Sequence, residues 1–275
     1  MNWLEAMILG IVEGVTEYLP ISSTGHLILA QRLLKIPAGL AADSYVICIQ
    51  AGAILAVLGL YWPHVKRMLW GVLGQDRQGL DLAINIVVAF LPAAVIGVLF
   101  NGAIERYLFG LWPIIAAWFV GGLVILLFSR WQQTHQQKIA DRGSELTTLN
   151  RRMALIIGAT QCLAMWPGTS RSLVTILAGC LVGLSLSSAV EFSFLLGVVT
   201  LTAATGYKAV HGGPAMIQAY GWHTMLIGFV FAAASAAAAV KWMVGYLNRH
   251  SLSIFGFYRL ALAVVAALLT GRLMS

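Results

Sequence analysis

The sequence predicts an all-α polytopic membrane protein, and three observations support that fold class. Hydrophobic residues make up 60% of the 275 residues and charged residues only 10%, whereas a soluble domain carries about 25% charged residues. Six stretches are apolar and close to the roughly 20 residues that a spanning helix needs. Two further apolar regions are each interrupted near the middle. We therefore expect about ten helices, with six spanning the bilayer and four forming two re-entrant helix pairs.

The six predicted spans belong to one integral membrane domain over residues 1–275. They lie near residues 44–62, 82–100, 111–129, 187–206, 222–246 and 254–271. Pro92 and Pro113 fall inside or at the start of spans, where neighbouring helices satisfy the freed backbone groups. Two halves, residues 1–129 and 153–275, are joined by a polar loop over residues 130–152.

The two interrupted regions, residues 4–34 and 153–184, predict the re-entrant pairs. The first break reads LPISSTGH at residues 19–26, and the second reads WPGTSRS at residues 166–172. Proline ends one half-helix, and serine or threonine caps the next. Each half is too short to cross a bilayer alone. Irregular backbone at membrane depth is tolerated only where protein or a water-filled cavity surrounds it.

The two interrupted regions also resemble each other. Residues 10–13, GIVE, parallel residues 158–161, GATQ, and Ser22 parallels Ser170 at the same offset. The two prolines miss this register by one position. Broken helices at corresponding positions of two halves are typical of an inverted-topology repeat with a binding site between the halves.

Loop charges predict the orientation. Nine Lys and Arg residues fall on one side of the alternating loops and five on the other. The larger group comprises Lys66, Arg67, Arg77, Arg130, Lys138, Arg142, Arg151, Arg152 and Arg249, and the smaller group Arg32, Lys35, Arg106, Lys208 and Arg272. The positive-inside rule then makes the loop of residues 130–152 cytoplasmic, with both termini and the first break facing outward. The net charge of +7 reflects these loops; without a basic stripe we expect no nucleic-acid binding.

Glu13 and Glu17 are the first candidates for chemistry. They are four residues apart on a half-helix, so both carboxylates share one face. A charged residue at membrane depth costs about 2.5–3.5 kcal/mol on insertion scales. Either both face water at a helix end, or they share a cation, or they form an acid–base pair.

The run from Ser22 to His26 follows the first break. Hydroxyls and backbone N–H groups at a helix start bind anions, which makes Ser22, Ser23, Thr24 and Gly25 candidates for phosphate binding. His26 is able to exchange a proton near neutral pH. A lone histidine is more often a packing residue, but its place after the break, downstream of two glutamates, favours function.

Arg171 is the centre of the second break. Its planar guanidinium matches phosphate oxygens, and serines flank it at a predicted helix start. Thr175, four residues on, shares its face. The candidate phosphate-binding residues here are Gly168, Ser170, Ser172 and Thr175. Alternatives for Arg171 are snorkelling to an interface and an internal ion pair with Glu17 or Glu191.

Together these residues resemble the undecaprenyl pyrophosphate phosphatase family, the intramembrane enzymes associated with bacitracin resistance. The motif GIVEGVTEYLPISSTGH at residues 10–26 is similar to the family's first element, and QCLAMWPGTSRSLVT at residues 161–175 is similar to its second. QAGAILAV, EFSFLL and FYR at residues 50–57, 191–196 and 257–259 extend the resemblance over nearly the whole chain. Leu173 and Val174 depart from the family's Gly-Ala.

The resemblance implies ten helices with two re-entrant pairs, and removal of the terminal phosphate of a polyprenyl diphosphate for reuse in cell-wall synthesis. Glu13 and Glu17 would hold a divalent cation, Mg²⁺ or Ca²⁺. Arg171 would hold the diphosphate, and either Ser23, with Glu17 or His26 as its base, or His26 itself would attack.

The expected location is the bacterial inner membrane, with the active site facing the periplasm. Expected partners are the lipid substrate and the bilayer, and a homodimer is left open. A polyprenyl-phosphate flippase is the alternative function, because inverted repeats and broken helices also suit alternating access.

Overall fold

The computed structural model describes residues 1–108, 110–134 and 145–273, and the regular elements in this range are helices. The first six are α1 (Trp3–Glu17), α2 (Ser23–Leu33), α3 (Leu40–Leu60), α4 (Trp62–Val72), α5 (Arg77–Leu108) and α6 (Leu111–Thr134). They are followed by α7 (Arg151–Gln161), α8 (Arg171–Leu181), α9 (Leu186–Leu247) and α10 (Ser253–Leu273). Short 3₁₀ turns lie at Leu146–Thr148 and Cys162–Met165.

The six predicted spans are confirmed as helices long and apolar enough to cross a membrane. They are Leu40–Leu60, Arg77–Phe100, Leu111–Thr134, Leu186–Tyr207, Pro214–Leu247 and Ser253–Thr270. The fourth and fifth both lie in α9, which departs from helical geometry at Gly221, with φ 73°. Large apolar side chains such as Val98 and Leu268 are 84% and 79% exposed, as expected for surfaces that a bilayer solvates. The chain is therefore a multi-pass membrane protein.

Helix α4 is an element that the sequence analysis missed, because it counted Lys66 and Arg67 among the loop charges. Pro63 occupies the first turn of this helix, where a missing N–H costs nothing. Arg67 then donates to Asp76 at 2.9 Å and to Gln78 at 2.7 Å, which ties α4 to the start of α5. The hydrogen bond from Arg67 lowers the pKa of the exposed Asp76 carboxyl. Periodicity over eleven residues, half of them charged or aromatic, was too weak a signal for a helix.

Close packing between helices depends on small residues at corresponding positions of the two interrupted regions. An added Cβ at Gly10 of α1 would lie 3.0 Å from Gly228 Cα in α9. At Gly158 of α7 it would lie 2.7 Å from Ala89 Cα in α5. Small residues let helix backbones approach this closely where lipid supplies no hydrophobic drive between helices. The two paired positions of the sequence thus both lie at tight helix crossings.

The two interrupted regions have the same local backbone. Ser22 and Ser170 each precede a helix, and their φ, ψ angles are 73°, 100° and 75°, 115°. Positive φ is uncommon outside glycine and costs about 1–3 kcal/mol. The second half-helices begin earlier than the predicted breaks allowed, since α2 starts at Ser23 and α8 at Arg171. Of the charges used for orientation, Lys138 and Arg142 lie outside the described residues.

Arg259 of α10 holds both breaks in place. It is fully buried, and its guanidinium donates to the carbonyl oxygens of five residues on three segments. The acceptors are Pro20 at 3.2 Å, Gly168 at 2.8 Å, Thr169 at 3.1 Å, Ala117 at 2.7 Å and Trp118 at 3.3 Å. A guanidinium has five N–H donors, so this contact set uses all of them. We call this set the Arg259 bridge.

We expect Arg259→Met to unfold the breaks locally and destabilise the protein. Leaving five carbonyl groups without this donor costs on the order of 5 kcal/mol, at about 1 kcal/mol for each lost partner. Thermal unfolding in detergent should show the fall in Tm. Arg249→Met is the matched control, because Arg249 is exposed in the turn after α9. Equal unfolding temperatures for the two variants would contradict the role of the bridge.

Candidate active site

A cavity of about 610 Å³ is lined by both interrupted regions. Most of its polar wall comes from the breaks and the helix ends beside them, namely Glu17, Ser22, Ser23, Thr24, Gly168, Ser170 and Arg171; Gln50, Gln161 and Thr200 add polar groups from α3, α7 and α9. Its apolar wall comes from α5 and the first half of α9, and includes Phe90, Ala93, Ala94, Gly97, Val98, Leu201 and Ala204. The cavity therefore suits an amphiphile with an anionic head and a hydrocarbon tail.

Glu17 and Ser23 are joined across the first break. The Ser23 hydroxyl donates to Glu17 Oε2 at 2.5 Å. Helix α1 ends at Glu17 and α2 begins at Ser23, so the turn of residues 18–22 brings the two side chains together. A hydroxyl bonded to a carboxylate can pass its proton to that carboxylate as it attacks an electrophile, so this pair is a candidate nucleophile and base.

Arg171, the first residue of α8, reaches the same carboxylate. Its Nη2 donates to Glu17 Oε1 at 3.3 Å, and its Nη1 donates to the Ser193 carbonyl at 2.9 Å. Its guanidinium lies 5.6 Å from the centroid of the Tyr18 ring. Nε is buried and has no hydrogen-bond partner among the described residues. Arg171 thus uses two of its five N–H donors on fixed acceptors, and the N–H at Nε is one of those left for an anion.

The second break is held in place by hydrogen bonds from the hydroxyl groups of Ser170, Ser172 and Thr175. Ser172 donates to the Leu19 carbonyl at 2.9 Å, and its hydroxyl lies 3.0 Å from that of Ser170. Thr175 donates to the Arg171 carbonyl at 2.8 Å. Of these three, only Ser170 lines the cavity. Ser172 and Thr175, expected to bind substrate, therefore lie where they position the segment that carries Arg171.

Glu13 lies one turn before Glu17 on α1, is completely buried, and is not among the residues that line the cavity. Neither of its carboxyl oxygens has a hydrogen-bond partner among the described residues. Glu17, by contrast, bonds to both Ser23 and Arg171. An uncompensated buried carboxylate costs several kcal/mol, so Glu13 requires a proton or a cation. The interpretation that both glutamates simply face water does not fit this burial.

His26 is turned away from the cavity, and is not among the residues that line it. Its Nδ1 lies 2.6 Å from the Ser22 carbonyl, and its Nε2 lies 2.8 Å from the Tyr258 hydroxyl. The carbonyl can only accept, so Nδ1 carries a hydrogen and Nε2 of the neutral ring accepts from Tyr258. The ring stacks on Tyr258 at 5.7 Å between centroids. In this arrangement His26 supports the break.

The two glycines among the predicted site residues differ in place. Gly168 lines the cavity at φ 95°, in the region that favours glycine. Gly25 packs against Trp118, where a Cβ would lie 2.5 Å from a ring carbon. Leu173, which departs from the family pattern, is 2% exposed within the hydrophobic core and does not line the cavity.

Several residues near the site had no assigned role from sequence. Ser193 bonds Arg171 and also lies 2.6 Å from the Thr175 hydroxyl, between the two Oγ atoms. Gln161 lines the cavity; from sequence it was noted only as the residue opposite Glu13 and as the first residue of the second motif. Arg259 and Tyr258 entered the sequence analysis only as part of the FYR match. Their partners are more than 80 residues away in the chain, which no local pattern encodes.

The chain is similar to known proteins over almost all of its length. Residues 6–265 match the family described as Bacitracin resistance protein BacA. Undecaprenyl-diphosphatase 2 of Rhodospirillum rubrum is 43% identical over 95% of this chain and 93% of the relative. Undecaprenyl-diphosphatases of Sorangium cellulosum and Polaromonas sp. are 41% and 40% identical, over 96% and 95% of this chain and 85% and 93% of the relatives.

We expect Arg171→Lys to lose most phosphate-handling activity. A lysine ammonium cannot keep Glu17 and Ser193 bonded while also presenting a donor in the position of Nε. Loss of about two charge-assisted hydrogen bonds predicts a fall in kcat/KM of roughly a hundredfold or more. Phosphate release from a lipid diphosphate measures it, with Arg152→Lys, exposed on α7, as the control. Near-normal turnover in Arg171→Lys would make Arg171 structural.

Proposed function

The chain belongs to the BacA family of bacitracin resistance proteins, and from that premise we propose that it hydrolyses undecaprenyl diphosphate to undecaprenyl phosphate and inorganic phosphate. The observation that carries this proposal is the convergence of Glu17, Ser23 and Arg171 on one amphiphilic cavity. The reaction regenerates the lipid monophosphate that serves as a carrier in cell-wall synthesis.

The diphosphate is held by cationic and N–H donors. Arg171 lines the cavity and its Nε has no partner among the described residues, so we assign its guanidinium to the terminal phosphate. Helix α2 adds its first N–H groups, because the Ser22 side chain makes no capping hydrogen bond to them and helix N-termini bind anions. The isoprenoid tail leaves along the apolar wall formed by α5 and α9. Positioning and charge neutralisation are the main requirements of phosphoryl transfer.

Ser23 is the proposed nucleophile. Its Oγ forms a bond to the terminal phosphorus while its proton passes to Glu17 Oε2, and the bond from that phosphorus to the bridging oxygen breaks. The lipid monophosphate leaves with the bonding electron pair. The departing lipid monophosphate takes this proton from Glu17, which returns to the carboxylate. Water then attacks the phosphoserine, and Glu17 accepts a proton from the water and passes it to the Ser23 oxygen as the bond to phosphorus breaks. Inorganic phosphate and free Ser23 are released. His26, whose ring nitrogens face Ser22 and Tyr258, orients the segment that carries Ser23.

A divalent cation, Mg²⁺ or Ca²⁺, would be held chiefly by Glu13, with Glu17 one turn away, because both Glu17 oxygens already accept hydrogen bonds from Ser23 and Arg171. Glu13 supplies two oxygens without partners, and hard cations prefer carboxylate oxygens. No cluster of three or more His, Cys, Asp or Glu side chains occurs within residues 1–108, 110–134 and 145–273. Substrate oxygens and water would therefore complete the coordination. When bound, such a cation neutralises charge that develops on the diphosphate.

The proposed topology has two re-entrant pairs, α1–α2 and α7–α8, related as an inverted repeat. The matching angles at Ser22 and Ser170 support it. So does the packing, since Gly10 of the first pair contacts the second half, whereas Gly158 of the second pair contacts the first half. Loop charges favour a site facing the outside of the bacterial inner membrane.

The flippase alternative is not favoured. A carrier needs to bind lipid phosphate, but it has no use for a hydroxyl bonded to a carboxylate beside an arginine. The compared relatives are named as diphosphatases and not as transporters.

We expect Ser23→Ala to abolish phosphate release by the full-length protein in detergent. Losing the nucleophile predicts a fall in kcat of roughly a hundredfold or more, measured with a C15 or C55 diphosphate and divalent cation. Ser251→Ala, in the turn between α9 and α10, is the control. Rapid quenching with a label in the terminal phosphate should trap an acid-stable phosphoserine. An acid-labile adduct on His26 would overturn the assignment to Ser23, and a wild-type protein that binds the lipid without releasing phosphate would overturn the function.

We expect Glu13→Gln to raise the cation concentration for half-maximal activity by roughly tenfold or more, because ligand charge sets the affinity of such sites. Titration of Mg²⁺ and Ca²⁺ against initial rate measures the change. Glu191→Gln is the control, since Glu191 belongs to α9 and lies 3.9 Å from His64 rather than one turn from Glu17. An unchanged cation response in Glu13→Gln would remove Glu13 from the cation site.

A further inference from the structure

Gln161 is a buried amide in the cavity wall that the proposed chemistry leaves unused. It ends α7, is only 2% exposed, and lines the same cavity as Ser23 and Arg171. Its Nε2 has no hydrogen-bond partner among the described residues. A buried donor without a partner costs about 1–3 kcal/mol, so such a group requires a reason.

The nearest polar neighbour of Gln161 does not satisfy it. Thr200 of α9 contacts Gln161 Oε1 at 3.5 Å, but its hydroxyl also donates to the Leu196 carbonyl at the shorter distance of 2.9 Å. If the amide were turned over, Nε2 would reach Thr200 with one hydrogen and keep the other free. Since an amide carries two N–H donors, both orientations leave at least one N–H without a partner in the cavity wall.

The position of Gln161 indicates which part of the substrate it meets. Ser23 and Arg171 serve the terminal phosphate. Gln161 contacts Thr200, whose neighbours Leu201 and Ala204 belong to the apolar wall. The group that lies between the terminal phosphate and the isoprenoid tail of a lipid diphosphate is the lipid-proximal phosphate.

We propose that Gln161 is a substrate-binding residue whose Nε2 donates a hydrogen bond to an oxygen of the lipid-proximal phosphate. The inference rests on the proposed diphosphatase function and deepens it, because it assigns the two phosphates of one substrate to different residues. The amide suits this role better than a charged group: it releases the lipid monophosphate after hydrolysis, where a second arginine would retain it. It also explains why the residue opposite Glu13 carries no charge.

The inference is tested by the kinetics of Gln161→Leu, which keeps the volume and removes both donors. One hydrogen bond to a charged group predicts a rise of about tenfold in KM for the diphosphate with a smaller change in kcat. The inhibition constant of the lipid monophosphate should rise in parallel, because the product retains the lipid-proximal phosphate. Inhibition by inorganic phosphate, which competes for the terminal position, should not change.

Gln161→Glu gives a second, independent measurement. It keeps the shape of the side chain but places an acceptor against the phosphate, so KM should rise further than in Gln161→Leu. Thr160→Val is the matched control, because the Thr160 hydroxyl bonds the Ile156 and Ile157 carbonyls of its own helix and lies outside the cavity lining. Its KM should equal that of the wild type.

The possible results distinguish a failure of the diphosphatase function from a failure of the role assigned to Gln161. Wild-type protein that releases no phosphate overturns the diphosphatase function itself. Normal wild-type turnover with unchanged KM in both Gln161 variants overturns only the role of Gln161. If only the inhibition constant of inorganic phosphate rises, the assignment to the lipid-proximal phosphate is overturned. A lower Tm with KM and the monophosphate inhibition constant unchanged makes Gln161 a structural residue and also overturns the inference.

Discussion

One guanidinium, that of Arg259, ties the two interrupted segments to each other and to α6. Its five donors reach carbonyl oxygens on both breaks, at Pro20, Gly168 and Thr169, and on the adjoining helix. Breaking a helix inside an apolar protein exposes carbonyl groups that water cannot satisfy. A buried arginine removes that cost for both breaks at once. The geometry of the site, including the distance from Ser23 to Glu17, follows from how these two turns are fixed.

The charges of the site are balanced unevenly, and that imbalance has a chemical use. Arg171 neutralises Glu17, whereas Glu13 has no partner and Arg259 contacts carbonyl dipoles rather than an acid within the described part of the chain. A diphosphate brings negative charge into this environment. It meets an arginine whose Nε has no partner among the described residues, beside the cation site proposed at Glu13. Burial makes these interactions stronger than they are in water, which is why a few groups are sufficient.

Much of the fold could be predicted because lipid solvation leaves a strong signal in the sequence. The six spans and the two breaks were identified from apolar length and from proline, glycine and hydroxyl residues. Helix α4 was missed because it is short and amphipathic. The clustering of Glu17, Ser23 and Arg171 was expected from the motifs. The orientation of His26 toward Tyr258 was not, since those residues are 232 positions apart and depend on how α10 packs.

The matched positions of the two interrupted regions show how one backbone serves two purposes. Ser23 and Arg171 are each the first residue of a helix that follows a serine at positive φ. The first of these residues is the proposed nucleophile, and the second is the arginine proposed to hold the phosphate. The paired positions Glu13 and Gln161 also differ in charge, because one is an acid and the other a neutral amide. Acids at both positions would surround a diphosphate with like charge. In the proposed repeat the two halves therefore differ in charge: the first carries the acids Glu13 and Glu17, and the second carries the hydrogen-bond donors Gln161 and Arg171.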